Sequence, residues 1–298
     1  MRPEVSDAKL RRRRRCRGLA VLATLALLGS LILAPTALAN FITPKSGGSP
    51  NANQIDSLYR LILYVAAVVF VIVEGALAYS VYKFRAKKGA VAAQIHGNTR
   101  LEIGWTVAAA LILVVIAVVT FVKLPSIVNP PNSDQGAFLS ASVTEPNPPN
   151  GKKLTICVQG RQFIWRYTYG PNCKDNAFTG KLPYSYQEMV VPSNTTVVLV
   201  IQATDVIHSW WVPSLGGKVD AVPGYTTYTW FKAPHPGALY HGQCAQLCGR
   251  EHYTMTALVK VVTPAQYTEW LSQQAGTIAA ANTQVTQLRQ ILTATGNL

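Results

Sequence analysis

The chain has 298 residues, is 49% hydrophobic and 13% charged, and carries a formal net charge of +14. That length accommodates one globular domain plus a membrane region. The charge is concentrated: residues 1–20 hold eight Lys/Arg against two acids, and residues 83–100 hold Lys83, Arg85, Lys87, Lys88 and Arg100 with no acid. Basic clusters beside apolar runs mark the inner side of a membrane, so nucleic acid is set aside as a partner.

Residues 1–39 read as a secretory signal. Arg11 to Arg15 and Arg17 make a basic start, 19–33 is an apolar core of 15 residues, and Ala37-Leu38-Ala39 is a small-x-small cleavage site. Fifteen residues are short for a membrane span, which needs about 20. Cys16, in the basic leader, lacks the apolar run before it that a lipoprotein anchor requires. Residues 40–57 read as an external linker rich in Gly, Pro and Ser.

Two apolar runs follow, 61–81 with the single acid Glu74, and 104–122 with no charge. Each is long enough to cross a bilayer as a helix, so 58–124 is expected to be a transmembrane hairpin. Its basic loop lies inside, which puts everything after Lys123 outside. An intramembrane acid is costly unless it faces a partner. Residues 125–150, rich in Pro and Asn, read as a connecting segment.

From 151 to 263 the character changes. Short β-rich runs at 154–158, 162–169, 195–202, 226–231, 238–243 and 254–262 alternate with Gly/Pro turns, the pattern of a small β-sandwich or barrel. Residues 264–298 turn helical, with Tyr267, Trp270 and Leu271 on one side. The Ala/Thr/Gln-rich end from 275 reads as a weak helix or disordered.

The chemistry concentrates at 242–255, where Cys244, Cys248, His252 and Met255 fall within twelve residues, with His208 upstream in Asp205-Val206-Ile207-His208-Ser209-Trp210. Thiolates with imidazoles select copper, zinc or iron–sulfur, and a thioether points towards copper. Two thiolates can bridge two coppers, each then needing one imidazole and one weak axial donor. His208, His252, Met255 and a carbonyl between the cysteines supply that count. A Cys244–Cys248 disulfide, a thiol-redox or copper-delivery motif, and a zinc site remain open as alternatives. Cys157 and Cys173 fall outside the motif and are disulfide candidates in an oxidising compartment.

The Cys-x3-Cys-x3-His-x2-Met run, together with His208-Ser209-Trp210, Pro213-Ser214-Leu215-Gly216 and Asp220-Ala221-Val222-Pro223-Gly224, resembles subunit II of cytochrome c oxidases, over residues 55 to 272. The resemblance implies a membrane-anchored chain: two transmembrane α-helices plus an external all-β cupredoxin-like Greek-key barrel. It implies a bacterial plasma membrane location, multi-pass, with the copper domain on the periplasmic side. It implies a dinuclear CuA centre of two copper ions held by His208, Cys244, the Gln246 carbonyl, Cys248, His252 and Met255. The implied partners are oxidase subunit I, other oxidase subunits, membrane lipid, and cytochrome c as electron donor.

The sequence departs from the family in two places. Gln246 stands where Glu is common, keeping the carbonyl but removing a carboxylate from the magnesium site shared with subunit I. Phe163 stands where the family has the Trp that receives electrons, while Trp165 keeps the second aromatic position. The resemblance also puts Glu102 at the entrance of a proton-uptake channel. A copper domain serving another enzyme, such as a nitrous oxide reductase-like protein, and a copper-free quinol-oxidase subunit are the competing classes. The two spans with Glu102 and Trp105 argue against the first, and the full ligand set against the second.

Overall fold

The structure, a computed structural model, describes residues 43–85, 89, 91, 93–130, 153–170, 173 and 182–295. The proposed signal, 1–39, lies outside them. The chain separates into Met1–Pro44 and Lys45–Leu298, and every element below belongs to the second unit.

Two long helices come first, α1 (Pro50–Lys83) and α2 (Thr99–Val128). Both are long and apolar enough to cross a membrane, and their large side chains, Phe70 and Leu113 among them, are exposed, as lipid-facing side chains are. α1 begins earlier than expected, so 50–57, assigned to the linker, is its first two turns. The reason is local: Pro50 at N1 is preorganised for a helix, and the Asn51 side-chain amide donates to the Trp230 carbonyl at 2.8 Å. α2 likewise runs four residues into the segment read as a connection. Pro125 removes one backbone donor near the helix end without stopping it.

The strands form a sandwich of two five-stranded sheets. One sheet runs β3 (Tyr184–Tyr186), β2 (Ile164–Tyr169), β1 (Leu154–Arg161), β5 (Val197–Ala203), β8 (Thr227–Phe231). The other runs β4 (Glu188–Pro192), β10 (Thr256–Val262), β9 (Leu239–Cys244), β6 (His208–Trp211), β7 (Val219–Ala221). The pairs β1–β5 and β4–β10 are parallel and the rest antiparallel. This is the two-sheet, cupredoxin-like arrangement that the resemblance implied.

Strand alternation puts Ile156 and Val158 of β1, Leu199 and Ile201 of β5, and Val259 and Val261 of β10 into one core with Trp165, Tyr167 and Phe231. Each such aliphatic side chain, once fully buried, contributes roughly 1.5–3 kcal/mol. Cys157, one residue out of phase with Ile156, faces the other side of its sheet beside Val200. There it forms a disulfide with Cys173.

Residues 264–294 form a single helix, α3 (Pro264–Ala294), which takes the helical of the two readings left open from 275. Thr263 and Gln266 form a capping box at its start. Trp270 packs edge-on against Tyr169, ring centroids 4.9 Å apart, and Gln274 donates to the Tyr184 carbonyl at 2.7 Å.

The sheet domain is tied to the N-terminal end of α1 and the C-terminal end of α2. Lys232 N donates to Ser49 Oγ at 3.0 Å, and the Trp230 indole donates to the Ile127 carbonyl at 3.1 Å. Trp230 in β8 and Lys232 just after it thus hold the end of α2 and the start of α1.

Candidate metal centre

Strands β6 and β9 pair so that Trp210 stands opposite Cys244. That register sets His208, at the start of β6, beside the end of β9. The loop after Cys244 is closed at its base: Cys244 N donates to the Met255 carbonyl at 2.9 Å, and Ala245 N to the Ser209 carbonyl at 2.8 Å. A single 3-10 turn, His252–Thr254, carries the chain back into β10.

Within this loop the sulfurs and imidazoles converge. Cys244 Sγ lies 3.9 Å from His208 Nδ1 and 3.3 Å from the Gln246 carbonyl. Cys248 Sγ lies 3.4 Å from His252 Nδ1. The ligating atoms of His208, Cys244 and Cys248 all lie within 4.8 Å of one another. Both thiols are free and buried, which argues against the disulfide alternative. Met255 is fully buried at the loop's end. All six residues singled out from the sequence as copper ligands therefore lie in or against one loop.

The site is electrostatically divided. Burial opposes ionisation of Cys244, yet hydrogen bonding to His208 and to the Ser209 backbone brings its thiol down to about 6. Burial, and then the negative charge of Cys244, push Cys248 up to about 11. Burial also opposes charging of His208, but its bonds to Cys244 and Asp205 outweigh it and raise the imidazole above its usual range.

Two contributors carried no signal in the sequence. Asp205 Oδ1 sits 2.9 Å from His208 Nε2, and its Oδ2 accepts from Gln162 N at 2.7 Å. Gln162 in turn donates its side-chain amide to the Cys248 carbonyl at 2.6 Å. The turn between β1 and β2 thereby braces both cysteine-bearing and histidine-bearing segments. Glycine lets the chain pass closely at two points of this brace. A Cβ on Gly160 would meet the His208 ring and Trp165 at 3.0 Å. Gly249 has φ +140, and a Cβ there would lie 2.9 Å from Gln162 Nε2 and 3.0 Å from the Phe163 ring.

Of the two aromatics, Trp165 is buried, its ring 5.8 Å from that of His208 at 66°. Phe163 is half-buried and lies over Gly249. Glu102 is not part of this cluster. It stands in the first turn of α2, where its Oε1 accepts from Asn98 N at 3.3 Å while the Asn98 side chain accepts from Leu101 N.

The donor set fits copper: two buried thiols, two imidazoles aimed at them, a carbonyl and a buried thioether, with soft sulfur predominating. The carboxylate of Asp205 holds the ring nitrogen that points away from the thiols, the usual arrangement behind a metal-binding histidine.

Comparison with known proteins agrees with this chemistry. Residues 154–262 match the family described as cytochrome C oxidase subunit II, periplasmic domain, and residues 38–122 match its transmembrane domain. The chain is 33% identical over 239 residues to the probable cytochrome c oxidase subunit 2 of Rickettsia bellii, covering 76% of this chain and 81% of that one. It is 34% identical over 233 residues to cytochrome c oxidase subunit 2 of Alkalihalophilus pseudofirmus, covering 77% of this chain but 61% of that longer protein. Among solved structures, the periplasmic domain of subunit II of cytochrome oxidase from Bradyrhizobium japonicum aligns at 29% identity and a TM-score of 0.38, covering 43% of this chain and 96% of that one.

Proposed function

Because the chain belongs to the cytochrome c oxidase subunit II family, we propose that it is the electron-accepting subunit of a haem–copper oxidase, relaying single electrons from a cytochrome c to haem in subunit I. Oxygen reduction and proton translocation belong to the partner subunit, and this chain alone turns over no oxygen. The observation that carries the reading is the convergence of Cys244 and Cys248 with His208 and His252, two free thiols each within 3.9 Å of an imidazole nitrogen.

In this reading His208, Cys244, the Gln246 carbonyl, Cys248, His252 and Met255 hold two copper ions. When bound, the copper pair supplies a site that shares one electron with little change in structure. The residues supply the rigidity. Asp205 fixes the His208 ring, Gln162 fixes the Cys248 carbonyl, and the Cys244–Met255 backbone bond closes the loop. Phe163 and Trp165 lie against that loop or its histidine and serve as the electron-accepting aromatics. Gln246 lacks the carboxylate that a shared magnesium ion prefers. Glu102 serves as the entrance for protons taken up by subunit I. The chain sits in a bacterial plasma membrane, its β domain external.

The test is an electron paramagnetic resonance spectrum of the full chain, purified in detergent and loaded with copper. A seven-line pattern from one electron over two coppers is expected. A four-line pattern from a single copper, or failure to retain copper, would sink the reading.

A further inference from the structure

Glu74 is the only charged residue in the two apolar runs, 61–81 and 104–122. It stands seven residues before the inner end of its run, about 10 Å along the helix axis at 1.5 Å per residue. That is well inside a hydrocarbon layer about 30 Å thick. A carboxyl group at such a depth is costly without a hydrogen-bond partner. The cations of the two helices, Arg60, Lys83, Arg100 and Lys123, all stand outside the apolar runs. Among the described residues no side chain makes a hydrogen bond or ion pair with Glu74.

The surface around it is shaped. Glu74 lines an open groove of about 440 Å³ with Val69, Phe70 and Val73 of α1 and Ile116 of α2. The walls are almost wholly apolar, and the acid is their one charged group. Two requirements meet here: an apolar concavity between helices, which a further helix fills by packing, and a polar group that must be satisfied from outside the hairpin.

We infer that this groove seats a transmembrane helix of another subunit of the same oxidase, and that this helix presents a hydrogen-bond donor side chain to Glu74. The inference rests on the oxidase reading above and adds to it the residue and the chemistry of the contact. Lipid tails fill the groove equally well but offer Glu74 no donor.

The test compares the full chain alone in detergent with the assembled oxidase, using a hydrophobic carbodiimide that modifies membrane carboxyl groups. Glu74 is expected to be labelled in the isolated chain and protected in the assembly. Equal labelling in both would overturn the inference and leave the groove facing lipid. Variants make a second measurement, read as retention of the chain by the purified oxidase on dilution in detergent. Glu74→Gln keeps a hydrogen-bonding group and should be retained normally. Glu74→Leu should weaken retention by about threefold to tenfold, the range of membrane hydrogen bonds. Unchanged retention of Glu74→Leu, or a Glu74→Cys chain that crosslinks only to a second copy of itself, would also overturn it. Failure of the wild-type chain to copurify with haem would overturn the oxidase reading instead.

Discussion

The Asp205 carboxylate holds His208 Nε2 at 2.9 Å, on the ring edge opposite the one that faces Cys244. The imidazole therefore has one orientation, with Nδ1 offered to the metal site. Removing such a partner commonly lowers metal affinity by roughly 10–100-fold. Asp205→Ala is expected to lose copper to a competing chelator at a concentration lower by that factor, while circular dichroism stays that of the wild type. Asp205→Asn, which keeps one acceptor oxygen for the ring but sets an amide NH2 against the Gln162 N–H, should lose less. A folded Asp205→Ala chain with wild-type copper affinity would show that packing alone orients the ring.

Copper uptake should depend on pH through the two unlike thiols. Cys244 titrates near 6 and Cys248 near 11. At pH 7 Cys244 is already mostly a thiolate, so metal binding must expel the Cys248 proton and whatever proton His208 carries. Below pH 6 Cys244 also holds its proton and must release it. Affinity therefore rises with pH, and the slope steepens by about one proton below 6. Calorimetric titration in buffers of different ionisation enthalpy counts those protons directly. A proton count unchanged between pH 5 and pH 8 would contradict the paired-thiol electrostatics.

The proposed ligands were legible in the sequence because sulfur and imidazole declare their chemistry by residue type. Their supports were not. Asp205 matters only because the β5–β6 turn folds over the β1–β2 turn, and nothing in its spacing from His208 predicts that. Strands β3, β6 and β7 were missed for a related reason: each has three or four residues, too few to display alternation, and β4 (Glu188–Pro192) was missed as well. The β6 run His208-Ser209-Trp210-Trp211 is a strand because β7 and β9 pair with it, a tertiary cause. By contrast, the start of α3 at Pro264 was legible in the sequence, and the Thr263–Gln266 capping box is what fixes it there. The continuation of α3 past 275 is compatible with the absence of any proline after Pro264.

Gly249 and Phe163 form a tight contact that should appear as an energetic coupling. A side chain at Gly249 meets the unfavourable φ of +140, the Gln162 amide at 2.9 Å and the Phe163 ring at 3.0 Å. Gly249→Ala is expected to destabilise the copper-loaded chain by about 1–3 kcal/mol. Phe163→Ala removes the ring but leaves the backbone cost. In the double variant the losses should sum to less than the two singles, with an interaction of at least about 0.5 kcal/mol. Strict additivity in thermal unfolding would mean that the ring moves aside freely.

The charge around the site bears on the donor. Residues 125–263 carry ten Lys/Arg and seven Asp/Glu. Close to the loop, Arg250 is 92% exposed, its nearest acid being Glu251 at 3.9 Å, and Arg161 is also exposed. Asp205, the acid on the other side, is engaged with His208 and Gln162. Such a surface repels a strongly basic cytochrome, and salt screens that repulsion within about 10 Å at 0.1 M. Electron transfer from a basic cytochrome c should therefore speed up as ionic strength rises, and transfer from an acidic one should slow down. Arg250→Glu should flatten or reverse both trends. Stopped-flow measurement of the second-order rate across a salt series decides it, and a basic donor whose rate falls with salt would place an acidic docking surface elsewhere on the assembly.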